Sequence, residues 1–344
     1  MTSALARRLQ TTRPIGPPNA DPLVKTLHHD VYPAISPTGD LANSAKGMSI
    51  LITGATGGIG NAAALAFALA GAEKIVLTSR TQSTLNDIEK KIFKTVGKGN
   101  VNVITVAADI TNKTDVERLF DEAGDIDGEY PDDLKCRYGS SAFPLVLINN
   151  AGTVEKILPI HESDPDEWWK VQEVVRFPPM PLVNIKGTYL PTREFLKRNL
   201  DRTQLTVINT SSFASMFTRP GHSSYQPTKS QINRFTEFIH FEYLEYNVRA
   251  FAYHPGAIWT ALTDYGMPKH VATLMVDTPE LAGGFLLWLV TQTETTDFLR
   301  GRYVASNWDI NELIAMKEDI VKKGLLWTRV VGQEQKVELG PVAW

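Results

Sequence analysis

The 344-residue chain predicts an α/β fold, a single doubly wound domain around a mostly parallel sheet. About seven strands are expected, each covered by crossover helices. Three observations carry this expectation. Short β-branched runs alternate with helical stretches from Met48 onward, a glycine-rich turn joins the first run to its helix, and neither an internal repeat nor a second apolar core interrupts the series.

The strand runs are Ser49 to Ile52, Lys74 to Thr78, Val101 to Val106, Leu145 to Ile148, Leu205 to Ile208 and Val248 to Ala252, with Arg302 to Ala305 as one more. Their near-continuous apolar character suits strands buried on both faces. Ile59 to Ala70, almost all alanine and leucine and stopped by Gly71, reads as a helix. Asp309 and Glu312 have the spacing of a capping box, which would open a short helix ending at Gly324. The domain is thus expected over 47–311, with a C-terminal helix and tail over 312–344. Residues 1–46 hold six of the twenty prolines and no apolar periodicity, so they read as an extended arm, partly disordered at its start. Arg7, Arg8 and Arg13, with no acid before Asp21, faintly resemble a targeting sequence, but a solvated tail is the reading adopted.

Thirty-five basic residues against thirty-eight acidic ones give a net charge of −3. That balance excludes the footprint of a nucleic-acid binder or a polybasic membrane protein. The apolar stretches Ala62 to Ala72 and Leu281 to Val290 are too short to span a bilayer. The only cysteine, Cys136, excludes an internal disulfide and any multi-cysteine metal site. His28 and His29 lack a suitably spaced carboxylate or third ligand and are expected on a flexible arm, so no metal is assigned. A cytoplasmic protein acting on a small molecule, away from membrane and nucleic acid, is the expectation.

The turn Thr53-Gly54-Ala55-Thr56-Gly57-Gly58-Ile59-Gly60 follows a buried run and opens a helix. Glycines let backbone approach a pyrophosphate, and a helix N-terminus presents free N–H groups and a positive dipole end. Tyr225 and Lys229, four apart, share one helix face, with Ser212 thirteen residues upstream. An ammonium beside a phenol is expected to lower the phenol's pKa toward working pH. A serine hydroxyl at the preceding strand end can orient a carbonyl oxygen. His254, beside Pro255, either faces the same cleft or packs as a hydrogen-bonded histidine.

The spacing T-G-x-x-x-G-x-G resembles the short-chain dehydrogenases/reductases, a Rossmann-fold family, and the resemblance recurs in order over roughly 46–309. It implies cofactor contacts from Thr53, Gly54, Gly58, Ile59 and Gly60, and an adenine contact from Asp109 in Ala108-Asp109-Ile110-Thr111. Asn149-Asn150-Ala151-Gly152 is similar to the family's cleft-lining stretch, implying Asn150, Ala151 and Gly152 as contacts. Pro255-Gly256-Ala257-Ile258-Trp259-Thr260 resembles its P-G-x-x-x-T segment, implying Pro255, Gly256, Ile258 and Thr260, the last against the nicotinamide amide. By the same resemblance Tyr225 is general acid/base, Lys229 tunes it and binds the nicotinamide ribose, Ser212 polarises the substrate, and Asn184 holds a water in the proton relay. The aromatic residues Phe235, Phe238, Phe241 and Tyr243 exceed what one buried helix face needs. The matching helix is the family's usual interface, which implies a homodimer or homotetramer.

Tyr32-Pro33-Ala34-Ile35-Ser36-Pro37 and the run from Gly301 to Asp309 resemble a branch common in filamentous fungi, many of whose members reduce intermediates of specialised metabolism. The expected activity is NADP(H)-dependent interconversion of a ketone and a secondary alcohol. Cofactor choice turns on the position nineteen beyond Gly60, the neutral Ser79, followed by Arg80. A carboxylate there would grip a ribose 2′-hydroxyl, whereas a guanidinium pairs with a 2′-phosphate. Residues 261–277 match the variable substrate loop; Leu262, Tyr265, Met267, Leu274 and Met275 suggest an apolar, bulky substrate. Two stretches depart from the family. One is an insertion near 125–141. The other, 175–183, carries Pro178, Pro179 and Pro181, which no helix interior tolerates, so the helix must break and restart near Asn184. Two other classes remain open: an epimerase, dehydratase or cyclase that uses the cofactor without consuming it, or a nucleotide-sensing binding protein.

Overall fold

The computed structural model describes residues 23–124, 145–172, 183–200 and 204–329. Seven strands form one all-parallel sheet: β1 (Ser49–Thr53), β2 (Lys74–Ser79), β3 (Asn102–Ala107), β4 (Val146–Asn149), β5 (Leu205–Thr210), β6 (Val248–His254) and β7 (Tyr303–Ala305). Their order is β3-β2-β1-β4-β5-β6-β7, so the chain reverses its winding between β1 and β4, where Ile52 lies opposite Ile148. That reversal opens a crevice beyond the C-terminal strand ends, the place where open α/β sheets bind ligands.

Two apolar cores flank the sheet, because side chains along each strand alternate faces. Ile50, Ile52, Ile148 and Ile208 join one core, while Leu51, Leu147 and Val207 join the other. Helices α1 (Gly58–Leu69) and α2 (Gln82–Val96) cover the first face. Helix α3 (Lys113–Gly124) lies over the second. After β4 come α4 (Pro165–Gln172), α5 (Lys186–Asn199) and α6 (Tyr225–Glu242), then α7 (Ala261–Gly266) and α8 (Pro279–Thr291). Arg249, fully buried on β6, donates to the carbonyls of Leu289 and Val290 and so satisfies the last turn of α8.

The expected helix from Asp309 to Gly324 is instead two short ones, α9 (Ile310–Ala315) and α10 (Lys317–Lys322). Asp309 caps α9 by accepting from the Asn311 and Glu312 N–H groups, but Glu312 does not complete the box. Its carboxylate reaches across to the Lys25 N–H and the Thr26 hydroxyl, both at 2.6 Å. The arm is corrected likewise: residues 23–46 dock on the domain, with Val24, Ile35, Leu41 and Ala45 in the first core. His28 and His29, expected without carboxylates, each meet one. His28 Nε2 lies 2.8 Å from Asp309 Oδ2, and His29 Nδ1 lies 2.5 Å from Asp277 Oδ1. These acids lie far along the chain, beyond the reach of a spacing argument, and they are two different acids. Among the described residues no group of three metal-ligating side chains occurs, and no helix is long and apolar enough to cross a membrane. The start of the arm, Cys136 and the insertion near 125–141 lie outside the described residues, as does all of 175–183 except Val183.

Candidate active site

The glycine turn connects β1 to α1 at the crevice. Gly54 has φ +62°, and a Cβ on it would fall 2.7 Å from the Ala151 Cα. A Cβ on Gly60 would fall 2.5 Å from the Gly54 carbonyl oxygen. Only glycine fits either position. Asn150 fastens this turn to β4 by donating to the Thr53 and Gly54 carbonyls, while the Thr53 hydroxyl accepts the Asn150 and Ala151 N–H groups. No side chain caps the first turn of α1, so an anion can take its N–H groups.

Asp109 folds its own loop, its Oδ1 accepting from the Thr111 N–H and hydroxyl. Ser79 ends β2, and Arg80 beside it is exposed. Gly256 has φ +104° and packs so tightly that a Cβ would lie 2.8 Å from Asp277 Oδ2. That oxygen accepts the Ala257 N–H at 2.5 Å. Pro255 and Ile258 are buried, and Thr260 caps α7 through a reciprocal bond with Thr263.

Tyr225 and Lys229 stand on the first turns of α6, with Lys229 Nζ 5.6 Å from the centre of the Tyr225 ring. Lys229 is buried and donates to the Thr210 carbonyl at 2.7 Å. Burial lowers its pKa to about 8. The Tyr225 phenol moves opposite to the expectation: burial pushes it up to about 12, against the opposing hydrogen bond from Ser212 and with added repulsion from Glu155. Desolvation of a phenolate outweighs its neighbours here, so the tyrosine is held as the neutral acid. Ser212 Oγ accepts the Ala214 N–H at 3.1 Å, which leaves its own proton to donate.

Asn184 is fully buried beside this group, despite the proline run before it. Its side chain accepts from the Thr153 N–H and donates to the Thr153 carbonyl and the Thr228 hydroxyl, and its own carbonyl accepts from Thr188. A Cβ on Gly152 would lie 3.4 Å from Asn184 Oδ1 and 3.7 Å from Lys229 Nζ, so these three sit together. His254 is half-buried with its Nδ1 lacking a hydrogen-bond partner, and burial lowers its pKa to about 4, which makes it neutral.

The substrate loop divides. Tyr265, expected to line an apolar pocket, is exposed, and its hydroxyl donates to Glu167 of α4 at 2.7 Å. Leu274 is also exposed, whereas Leu262, Met267 and Met275 are partly buried. Sequence reasoning passed over Glu155 and Asp277. Their only local signals were an acid three positions past Gly152 and one just before the Thr278 cap of α8.

These residues fit a dinucleotide. An uncapped helix start faces the crevice, the glycines leave room that a Cβ would fill, and the buried ammonium of Lys229 has a neutral carbonyl as its hydrogen-bond partner.

The short chain dehydrogenase family profile matches residues 144–269, and the KR domain profile matches residues 48–128. A short chain dehydrogenase of Monascus purpureus is 35% identical over 320 residues, spanning 90% of this chain and 96% of that protein. Another, from Emericella variicolor, is 30% identical over 306 residues, spanning 87% and 93%. A 3-oxoacyl-[acyl-carrier protein] reductase from Brucella melitensis superposes with a TM-score of 0.63 at 24% identity, covering 83% of this chain and 98% of that one. This last likeness is one of fold. The chain belongs to the short-chain dehydrogenases/reductases and is an oxidoreductase of that family.

Proposed function

We propose that the protein is an NADP(H)-dependent reductase that interconverts a ketone and a secondary alcohol on an apolar small molecule, with Tyr225 as general acid/base. The observation that carries this reading is the grouping of Tyr225, hydrogen-bonded by Ser212, with the buried Lys229 ammonium one turn on and 5.6 Å from the centre of its ring. A bound nicotinamide would supply or accept the hydride at carbon. Tyr225 donates its proton to the carbonyl oxygen, and Ser212 donates a hydrogen bond that orients that oxygen. Lys229 holds the nicotinamide ribose through protons that Thr210 does not take. Asn184 fixes the Thr153 backbone and the Thr228 hydroxyl beside the lysine, and by the family's pattern it would hold a water in the proton relay.

Thr53, Gly54, Gly58, Ile59 and Gly60 take the pyrophosphate, Asp109 the adenine, and Asn150, Ala151, Gly152, Pro255, Gly256, Ile258 and Thr260 line the nicotinamide side. The exposed Arg80 and the neutral Ser79 favour a 2′-phosphate over a bare hydroxyl. Association of the chain into a homodimer or homotetramer is supported by apolar side chains left exposed on neighbouring helices, Tyr189 on α5 and Phe238 and Phe241 on α6. Phe235 and Tyr243 instead pack against the second core.

The test is incubation with NADPH and a panel of apolar ketones, following cofactor absorbance and product together. Stoichiometric NADPH oxidation with alcohol formation supports the reading. Altered product with NADPH retained would establish an isomerase, dehydratase or cyclase, and tight NADPH binding with no product would establish a sensor.

A further inference from the structure

Glu155 lies three residues beyond Gly152 in the segment leaving β4, and it is only 4% exposed. Both of its carboxylate oxygens sit 3.1 Å from the Tyr225 N–H, and Oε1 also accepts the Ser224 N–H at 3.1 Å. These N–H groups open α6, which has no acidic residue in its first turn and no side-chain cap from Ser224. The Ser224 hydroxyl is turned to the Trp168 carbonyl at 2.7 Å. Glu155 therefore supplies from another part of the chain the acceptor and the negative charge that a helix start favours. Its buried position keeps that charge little screened by solvent.

The ionisable groups around the Tyr225 phenol come from several elements. Lys229 follows on α6 itself, Glu155 comes from the segment after β4, and Tyr303 comes from β7. From β6, Tyr253 is buried and protonated and His254 is neutral. On α4, Asp166 and Lys170 are exposed, and Glu167 is bonded to Tyr265 and Lys156. Glu155 is thus the buried carboxylate held against the residue that bears the phenol.

We propose that Glu155 is a positioning residue for Tyr225, anchoring the start of its helix through the Ser224 and Tyr225 N–H groups and placing a buried negative charge against the residue that bears the phenol. This rests on the reading of Tyr225 as general acid/base. The geometry joins two effects in one side chain: the bonds to the Ser224 and Tyr225 N–H groups set where the tyrosine begins, and the charge adds to the burial that favours the protonated phenol. A helix cap alone would have only the first effect.

Glu155→Gln separates them, because glutamine keeps the shape and one acceptor oxygen while losing the charge. The Tyr225 ionisation is read from tyrosinate ultraviolet absorbance in the full chain, with each protein compared with its Tyr225→Phe counterpart. We expect the Tyr225 transition to fall by about one pH unit in Glu155→Gln. A transition at the same pH in both proteins overturns the proposal, even if Glu155→Gln melts earlier. Should Glu155→Gln fail to fold, Glu155→Asp draws the charge back by one methylene and gives a smaller downward movement, and no movement overturns the proposal equally. Normal turnover in Tyr225→Phe refutes the acid/base reading instead, and the absorbance titration then still decides what Glu155 does to the phenol.

Discussion

His29 Nδ1 lies 2.5 Å from Asp277 Oδ1, joining residues 248 positions apart. Asp277 is 2% exposed at its side chain, and its other oxygen holds the Ala257 N–H. The N-terminal arm is thereby linked through one buried carboxylate to the Pro255–Thr260 segment of the cleft. Thr278 strengthens the link, its N–H donating to the His29 carbonyl and its hydroxyl to Asp30. We expect His29→Ala to leave Asp277 short of a partner, lowering stability by about 1–3 kcal/mol. NADPH binding should weaken with it. Denaturant unfolding and fluorescence titration check both, and unchanged values would show that the arm does not brace the cleft.

Lys229 sets function against stability. Its folded pKa is about 8 against 10.5 when free, so the unfolded chain binds its proton more tightly, and at neutral pH burial of the ammonium costs stability. That cost is fully absent above pH 10.5 and grows as pH falls to 8. Lys229→Met should raise the stability of the cofactor-free protein at neutral pH by about 1–3 kcal/mol while abolishing turnover. A lower melting temperature in this variant would contradict the account.

His222 predicts an acid-side loss. It is 4% exposed, its Nδ1 has no hydrogen-bond partner, and burial, aided by Arg219, lowers its pKa from 6.5 to about 4. The unfolded chain takes up the proton first, so stability is full above pH 6.5 and declines as pH falls toward 4. The loss amounts to about 3 kcal/mol at most. His222→Leu should flatten that part of the melting profile, and an unaltered slope would assign the loss elsewhere.

Arg80 governs cofactor choice on the proposed reading. NADPH should bind at least ~10-fold tighter than NADH, about 1.4 kcal/mol. Arg80→Ala should remove most of that preference with NADH affinity nearly unchanged, because the guanidinium meets only the 2′-phosphate. Equal affinities in the unaltered protein would refute this role.

Phe238 is 54% exposed on α6, with the Arg234 guanidinium over its ring. If this face joins two chains, Phe238→Glu replaces an apolar ring at the contact by a carboxylate that must be desolvated, and shifts the protein to monomer. Sedimentation of both proteins decides it, and identical sedimentation would exclude this face.

Much of the architecture is local and was legible in the sequence. The strand runs fall within two residues of the observed strands because buried parallel strands need continuous β-branched segments. The glycine turn is equally local: Gly54 needs a positive φ and Gly60 a close backbone approach, requirements that only glycine meets. Helical spacing puts Tyr225 and Lys229 on one face, and the upstream Ser212 and the glycine turn single the pair out. What the tertiary structure decided are the contacts between distant segments, which no periodicity encodes. Glu312 left its expected capping box for Thr26, Asp277 found His29, and Glu155 reached the start of α6. The protonation of Tyr225 belongs with these: spacing shows the lysine nearby, but how deeply folding buries the phenol sets the balance between charge and desolvation, and burial prevailed.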